Sequence, residues 1–102
     1  MIIDDGSHQL SDILSSLNSF FKFLNDEGMY VIEDYKHPNY YTYNKDVNDI
    51  LIDDLLSNLK NKKSFKSSYF SEKEQEYLMN SIKKIYTYRG NLKDSDICFI
   101  EK

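Results

Sequence analysis

Apolar side chains recur at helical spacing from Leu10 through Ile13, Leu14, Leu17, Phe20 and Phe21 to Leu24. That spacing predicts an amphipathic helix, with Ser7 or Ser11 as its cap and Gly28 as its stop. Met29-Tyr30-Val31-Ile32 follows without alternation, the pattern of a strand covered on both faces, as in a parallel sheet. Ahead of the helix stand only Ile2 and Ile3, fewer than the roughly five or six residues usual for a strand, so the chain is expected to begin inside one. Strand, helix and strand together predict a right-handed crossover unit.

Beyond this unit the periodicity changes. The stretch from Tyr35 to Lys45 holds Pro38, Tyr40, Tyr41 and Tyr43, lacks a steady period, and predicts a loop. Val47, Ile50, Leu51, Leu55 and Leu59 define a second amphipathic helix, and Asn61 to Ser68 reads as a polar, basic linker. Ser71 and Glu74 have capping-box spacing, which predicts a short third helix from Ser71 to about Asn80. Ile85 to Tyr88 and Asp96 to Ile100 are strand-like and predict a terminal hairpin across a turn holding Gly90 and Asn91. The expected fold is α/β with a four-stranded mixed sheet, its last strand antiparallel between two neighbours. The expected core includes Leu14, Leu17, Phe21, Val31, Ile32, Leu55, Ile97 and Phe99. No internal repeat or low-complexity segment interrupts it.

Composition narrows the partners. At 102 residues the chain has the length of one domain, residues 1–102. Its net charge of −4 disfavours general nucleic-acid or anionic-membrane binding, which needs a positive surface, and leaves small molecules and proteins. Lys60, Lys62, Lys63 and Lys66 interleave with Phe65 and Tyr69, but cations after a helix complement its dipole, so they read as a solvated face. No apolar run approaches the roughly 20 residues of a membrane span. Lone Cys98, set among Ile97, Phe99 and Ile100, reads as a buried strand thiol, excludes an internal disulfide and fits a reducing cytoplasm.

The candidate chemistry lies at the ends of the first two strands. Asp4-Asp5-Gly6-Ser7-His8 follows the first and Glu33-Asp34 closes the second. In a parallel pair both carboxyl ends reach the same sheet edge, where ligands bind in open α/β folds, so Asp5, Glu33 and Asp34 can converge. Three carboxylates with no Lys or Arg in either motif favour a divalent cation, and all-oxygen ligands favour Mg²⁺ over Mn²⁺ or Ca²⁺. Zinc is disfavoured, because Cys98 and His37 have no standard ligand spacing to these acids. His8 stands near the same edge and can serve as a base. The alternative reading stays open: Asp4-Asp5-Gly6 as a solvated turn, Ser7 as an N-cap and His8 as an exposed helix residue. Tyr40, Tyr41 and Tyr43 can line a sugar or aromatic pocket, although a tyrosine-rich composition also accounts for them.

IIDDGSH, an amphipathic helix, DEGMYVIEDY and a closing IYTYRGNLKDSDICFIEK resemble the C-terminal half of the metal-dependent sugar O-methyltransferases of the mycinamicin and macrocin type, a group that includes the cephalosporin-hydroxylase-like proteins. The resemblance covers essentially the whole chain. It implies the C-terminal half of a Rossmann-like class I methyltransferase fold, contributing strands 4-5-7-6 of the family's sheet. It also implies Mg²⁺ on Asp5, Glu33 and Asp34, His8 as the base, and a sugar or small-molecule hydroxyl as acceptor. The family binds S-adenosylmethionine through a glycine-rich first strand-to-helix turn, whereas the glycines here are Gly6, Gly28 and Gly90. The methyl donor is therefore expected only if the other half is supplied. Two functions follow: the catalytic half of an O-methyltransferase, inactive as a lone chain, or a non-enzymatic remnant that pairs through its exposed edge strand with a complementing chain or another copy of itself.

Overall fold

The computed structural model describes residues 1–6, 9–35, 48–90 and 96–102, and the fold is mixed α/β. Strand β1 (Ile2–Asp4) leads to helix α1 (Leu10–Phe20), a 3-10 turn (Phe21–Phe23) and strand β2 (Met29–Glu33). Helices α2 (Ile52–Lys60) and α3 (Glu72–Ser81) follow, and strands β3 (Lys84–Tyr88) and β4 (Ile97–Glu101) complete a four-stranded sheet in the order β1-β2-β4-β3. β1 and β2 are parallel, while β4 lies antiparallel between β2 and β3.

Local chemistry explains most element ends, with three differences from the sequence expectation. α1 starts at Gln9 with no side-chain cap, Ser11 lies inside the helix, and Ser7 lies outside the described residues. Gly28 does not end the helix either, because the helix has already tightened into the 3-10 turn and the left-handed residue is Glu27, at φ 68°. Gly28 is needed for packing: a Cβ there would stand 2.7 Å from the Asn25 carbonyl oxygen and 2.7 Å from Leu24 Cγ. α2 begins at Ile52, after Ile50 and Leu51, and Val47 lies outside the described residues. The third helix follows its signal closely. Ser71 Oγ accepts from the Glu74 amide at 3.2 Å, and Glu74 Oε1 accepts from the Ser71 amide at 2.9 Å.

α2 closes on Lys62, at φ 53°, with Lys62 N–H donating to Leu59 O at 3.3 Å and Lys63 N–H to Asn58 O at 2.8 Å. These are the two bonds of a Schellman motif, formed around a lysine where glycine is usual. The linker after it is anchored to the body of the fold. Phe65 packs edge-on against Phe70 with ring centroids 5.6 Å apart, and its amide donates to the side chain of buried Gln75 at 3.1 Å. The Ser68 amide and hydroxyl both donate to Asp49 Oδ2, at 2.9 and 2.8 Å.

Helix residues Leu10, Ile13, Leu14, Leu17, Ile52, Leu55, Leu56, Leu59 and Leu78 join Tyr30, Ile32, Cys98 and Ile100 in one core on one face of the sheet. Registered partners share a face, so Ile3, Val31, Phe99 and Tyr86 lie on the other, together with Met29, Ile97 and Tyr88. Of that set only Val31 is buried; Ile97 and Phe99, expected in the core, are half-buried, because β4 directs Cys98 and Ile100 at the helices instead. Among the described residues, no helix is long and apolar enough to cross a membrane.

Candidate functional site

The crossover from β1 through α1 to β2 sends the ends of the two parallel strands to one edge. Asp4 pairs with Ile32, so one step further along the same register Asp5 comes level with Glu33. Asp5 is exposed and Glu33 half-buried. Asp34 follows at φ 52°, a left-handed conformation that aspartate tolerates better than most residues and that turns the chain away from the strand. Asp4 points to the helix side of the sheet, where its Oδ1 accepts from the Gly6 amide at 3.4 Å.

Pairing of β4 brings further charged residues to this edge that the motif reading left out. Glu33 pairs with Ile97 and Tyr88 also pairs with Ile97, so buried Asp96, which precedes Ile97, and Arg89, which follows Tyr88, come to the same edge as Glu33. Buried Tyr35 reports the charges gathered there. Burial raises its hydroxyl pKa well above the usual phenolic range, the charges of Asp53 and Asp96 add to the rise, and Arg89 opposes it. On the helix side, Tyr30 is raised in the same direction by burial and then by Asp4. Cys98 lies between them in the core, its thiol pushed up to about 12 by burial.

The structure thus brings Asp5, Glu33 and Asp34 to one edge and adds Asp96, Asp53 and Arg89. Asp96 was legible as the polar residue opening an apolar strand. Arg89 carried no signal, because only the pairing of β3 with β4 brings it there. Among the described residues, no group of three or more His, Cys, Asp or Glu stands close enough to hold a metal ion, so the acids by themselves form an open arc and no closed ligand cage. His8, His37, Pro38, Tyr40, Tyr41 and Tyr43 lie outside the described residues. Comparison with protein-family models, with curated proteins and with solved structures gives no match. The chemistry of the edge therefore rests on its own residues.

Proposed function

We propose that this chain is the acceptor-activating half of a Mg²⁺-dependent, S-adenosylmethionine-using O-methyltransferase acting on a sugar or other small-molecule hydroxyl. In this reading Asp5, Glu33 and Asp34 are metal ligands and His8 is the general base. The observation that carries it is the parallel register of β1 and β2, which sets Asp5 level with Glu33. The sheet order β1-β2-β4-β3 supports it too, being the order 4-5-7-6 that the resemblance implies.

In a transfer of this kind the acceptor oxygen bonds to the methyl carbon as the carbon–sulfur bond breaks, and the hydroxyl proton must leave. An imidazole that titrates near neutral pH can accept that proton, the role assigned to His8. A divalent cation, when bound, supplies Lewis acidity to a hydroxyl oxygen. The donor pocket has to come from polypeptide beyond these 102 residues, because no glycine-rich strand-to-helix turn lies within them.

Calorimetric titration of the purified chain with S-adenosylmethionine, with and without Mg²⁺, should show no binding at micromolar concentration. Mixing with the donor-binding half of a related enzyme should restore methyl transfer that His8→Ala abolishes. Restored transfer that survives His8→Ala would remove the base from its role, and no restoration under any condition would remove the enzyme reading. A second reading, a non-enzymatic interaction module, gains from Arg89, which supplies positive charge to the acidic edge without any metal. It expects no stabilisation by Mg²⁺.

A further inference from the structure

We infer that the groove between the end of α1 and the start of α3 is a binding site for a small aromatic carboxylic acid, its ring seated on Phe21 and Tyr77 and its carboxylate held by Lys22 and Lys73. Asn18, Phe21 and Lys22 are three and four residues apart where α1 runs into the 3-10 turn, and Lys73 and Tyr77 are four apart on α3, so each set shares one face. The two faces leave a groove of about 280 Å³ between them, with buried Leu78 in its lining. The acids of the candidate site stand where α1 begins and this groove lies where it ends, so the inference is independent of the methyltransferase reading.

The wall of the groove is aromatic. Phe21 and Tyr77 meet edge-on, with ring centroids 6.5 Å apart and planes at 77°. Tyr77 lines the groove and keeps 40% of its surface exposed. A third ring laid against this pair gains the offset or edge contact that aromatic rings prefer. The volume stands at the lower end of the roughly 300–1,000 Å³ usual for small-molecule sites, so it suits a ligand of about a dozen non-hydrogen atoms.

Charge decides the polar end of the ligand. The chain carries a net charge of −4, yet Lys22 and Lys73, from different elements, both line this groove. Lys102 adds a third ammonium beyond the lining, 5.6 Å from the ring centre of Phe21 and 5.4 Å from that of Tyr77, and it donates to the neutral carbonyls of Leu24 and Lys22. Lys22 lies 5.5 Å over the ring of Phe23, a contact that leaves its charge available to an anion. Glu74 also lines the groove, but its carboxylate is engaged in the capping box, accepting from the Ser71 amide at 2.9 Å and from the Asn18 side chain. Three ammoniums gathered about one carboxylate leave the groove positive, and an anion between Lys22 and Lys73 offsets their repulsion. A carboxylate joined to a ring uses both features, whereas inorganic phosphate uses only the charge and a neutral ring only the wall.

Cinnamate is a suitable probe, with cinnamamide as its uncharged counterpart and inorganic phosphate as the anion without a ring. Titration of the isotope-labelled chain with cinnamate, followed by amide NMR shifts, should saturate with a dissociation constant of about 0.2–2 mM and move the amides around Phe21 and Tyr77. Cinnamamide and phosphate should each bind at least about tenfold more weakly, since a hydrogen bond to a charged group is lost in one and the ring contact in the other. Lys22→Gln and Lys73→Gln, both at exposed positions, should each raise the constant about three- to tenfold while the thermal melt stays unchanged. Lys63→Gln, beyond the end of α2, should leave it as it is. No saturation up to about 5 mM cinnamate would overturn the proposal. Equal binding of cinnamamide or of phosphate would also overturn it, as would a constant that both Lys22→Gln and Lys73→Gln leave unmoved.

Discussion

Lys102 donates from its Nζ to the main-chain carbonyl of Leu24 at 2.7 Å, joining the end of β4 to the chain that leaves the first helix. The same ammonium lies 5.6 Å from the ring centre of Phe21 and 5.4 Å from that of Tyr77, with the Lys22 carbonyl at 3.4 Å. Its main chain extends the connection, accepting from Glu27 N–H at 2.7 Å and donating to Gly28 O at 3.0 Å. One lysine thus ties together the last strand, the crossover and α3. Lys102→Met keeps the aliphatic stem and removes the donor from the buried carbonyl, so it should cost about 1–3 kcal/mol. Urea unfolding of the two proteins measures this, and equal midpoints would show the bond to be dispensable.

The capping box predicts an acid-sensitive contribution. The Glu74 carboxyl lies below its ordinary pKa because it accepts from the Ser71 amide and then from the Asn18 side chain. Its contribution is therefore complete above the unfolded value of about 4.3 and is lost as pH falls through the lower folded value. Asp49 shifts the same way: burial pushes it up, but hydrogen bonds from Ser67, Ser68 and Ile50 outweigh burial. Ser71→Ala should cost about 1 kcal/mol at pH 7. Glu74→Gln, which removes the ionising carboxyl itself, should flatten the loss of stability below about pH 4.3, which unfolding curves between neutral and acid pH would reveal.

Lys62 holds a left-handed conformation at the end of α2, at φ 53°. That conformation costs a residue with a Cβ about 1 kcal/mol or more, and glycine adopts it freely. Lys62→Gly should therefore stabilise the protein by about 0.5–1 kcal/mol, less than the full strain because glycine also loosens the unfolded chain. A lower melting temperature for this variant would contradict the motif.

Mg²⁺ should raise the melting temperature at millimolar concentration, because the arc of acids gains a counter-charge only in the folded state. At ten times its dissociation constant the gain is about 1.4 kcal/mol. Asp34→Asn is the informative variant, since asparagine accepts the same left-handed backbone and only the charge is lost. Equal Mg²⁺ shifts in the two proteins would take Asp34 out of the site.

Cys98 should resist thiol reagents in the native state, since it is fully buried and its thiol is pushed up to about 12. Modification at pH 8 should proceed only as fast as the protein opens and become rapid in denaturant. Fast labelling of the native chain would place the β4 interior in contact with solvent.

The features whose physics is local were legible in the residues alone. The run from Leu10 to Leu17 repeats at 3.6 residues and buries one stripe, Ser71 and Glu74 are three residues apart and close their own box, and the two terminal apolar runs are near enough in the chain to pair. Such signals act over one or two turns, or across one hairpin, and need no distant partner. The facing of β4 was not decided locally. Ile97 to Ile100 is apolar at every position, so a period of two has no polar member to mark the solvent side, and only packing under the helices put Cys98 and Ile100 inward. The candidate edge divides the same way. Asp5, Glu33 and Asp34 announce themselves at strand ends, whereas Asp96 and Arg89 reach the edge only through the registers of β2 with β4 and β4 with β3. The clasp of Lys102 on Leu24 spans nearly the whole chain. Pairings of that length follow from how the sheet closes, because the entropy of bringing distant segments together is offset only by the assembled core.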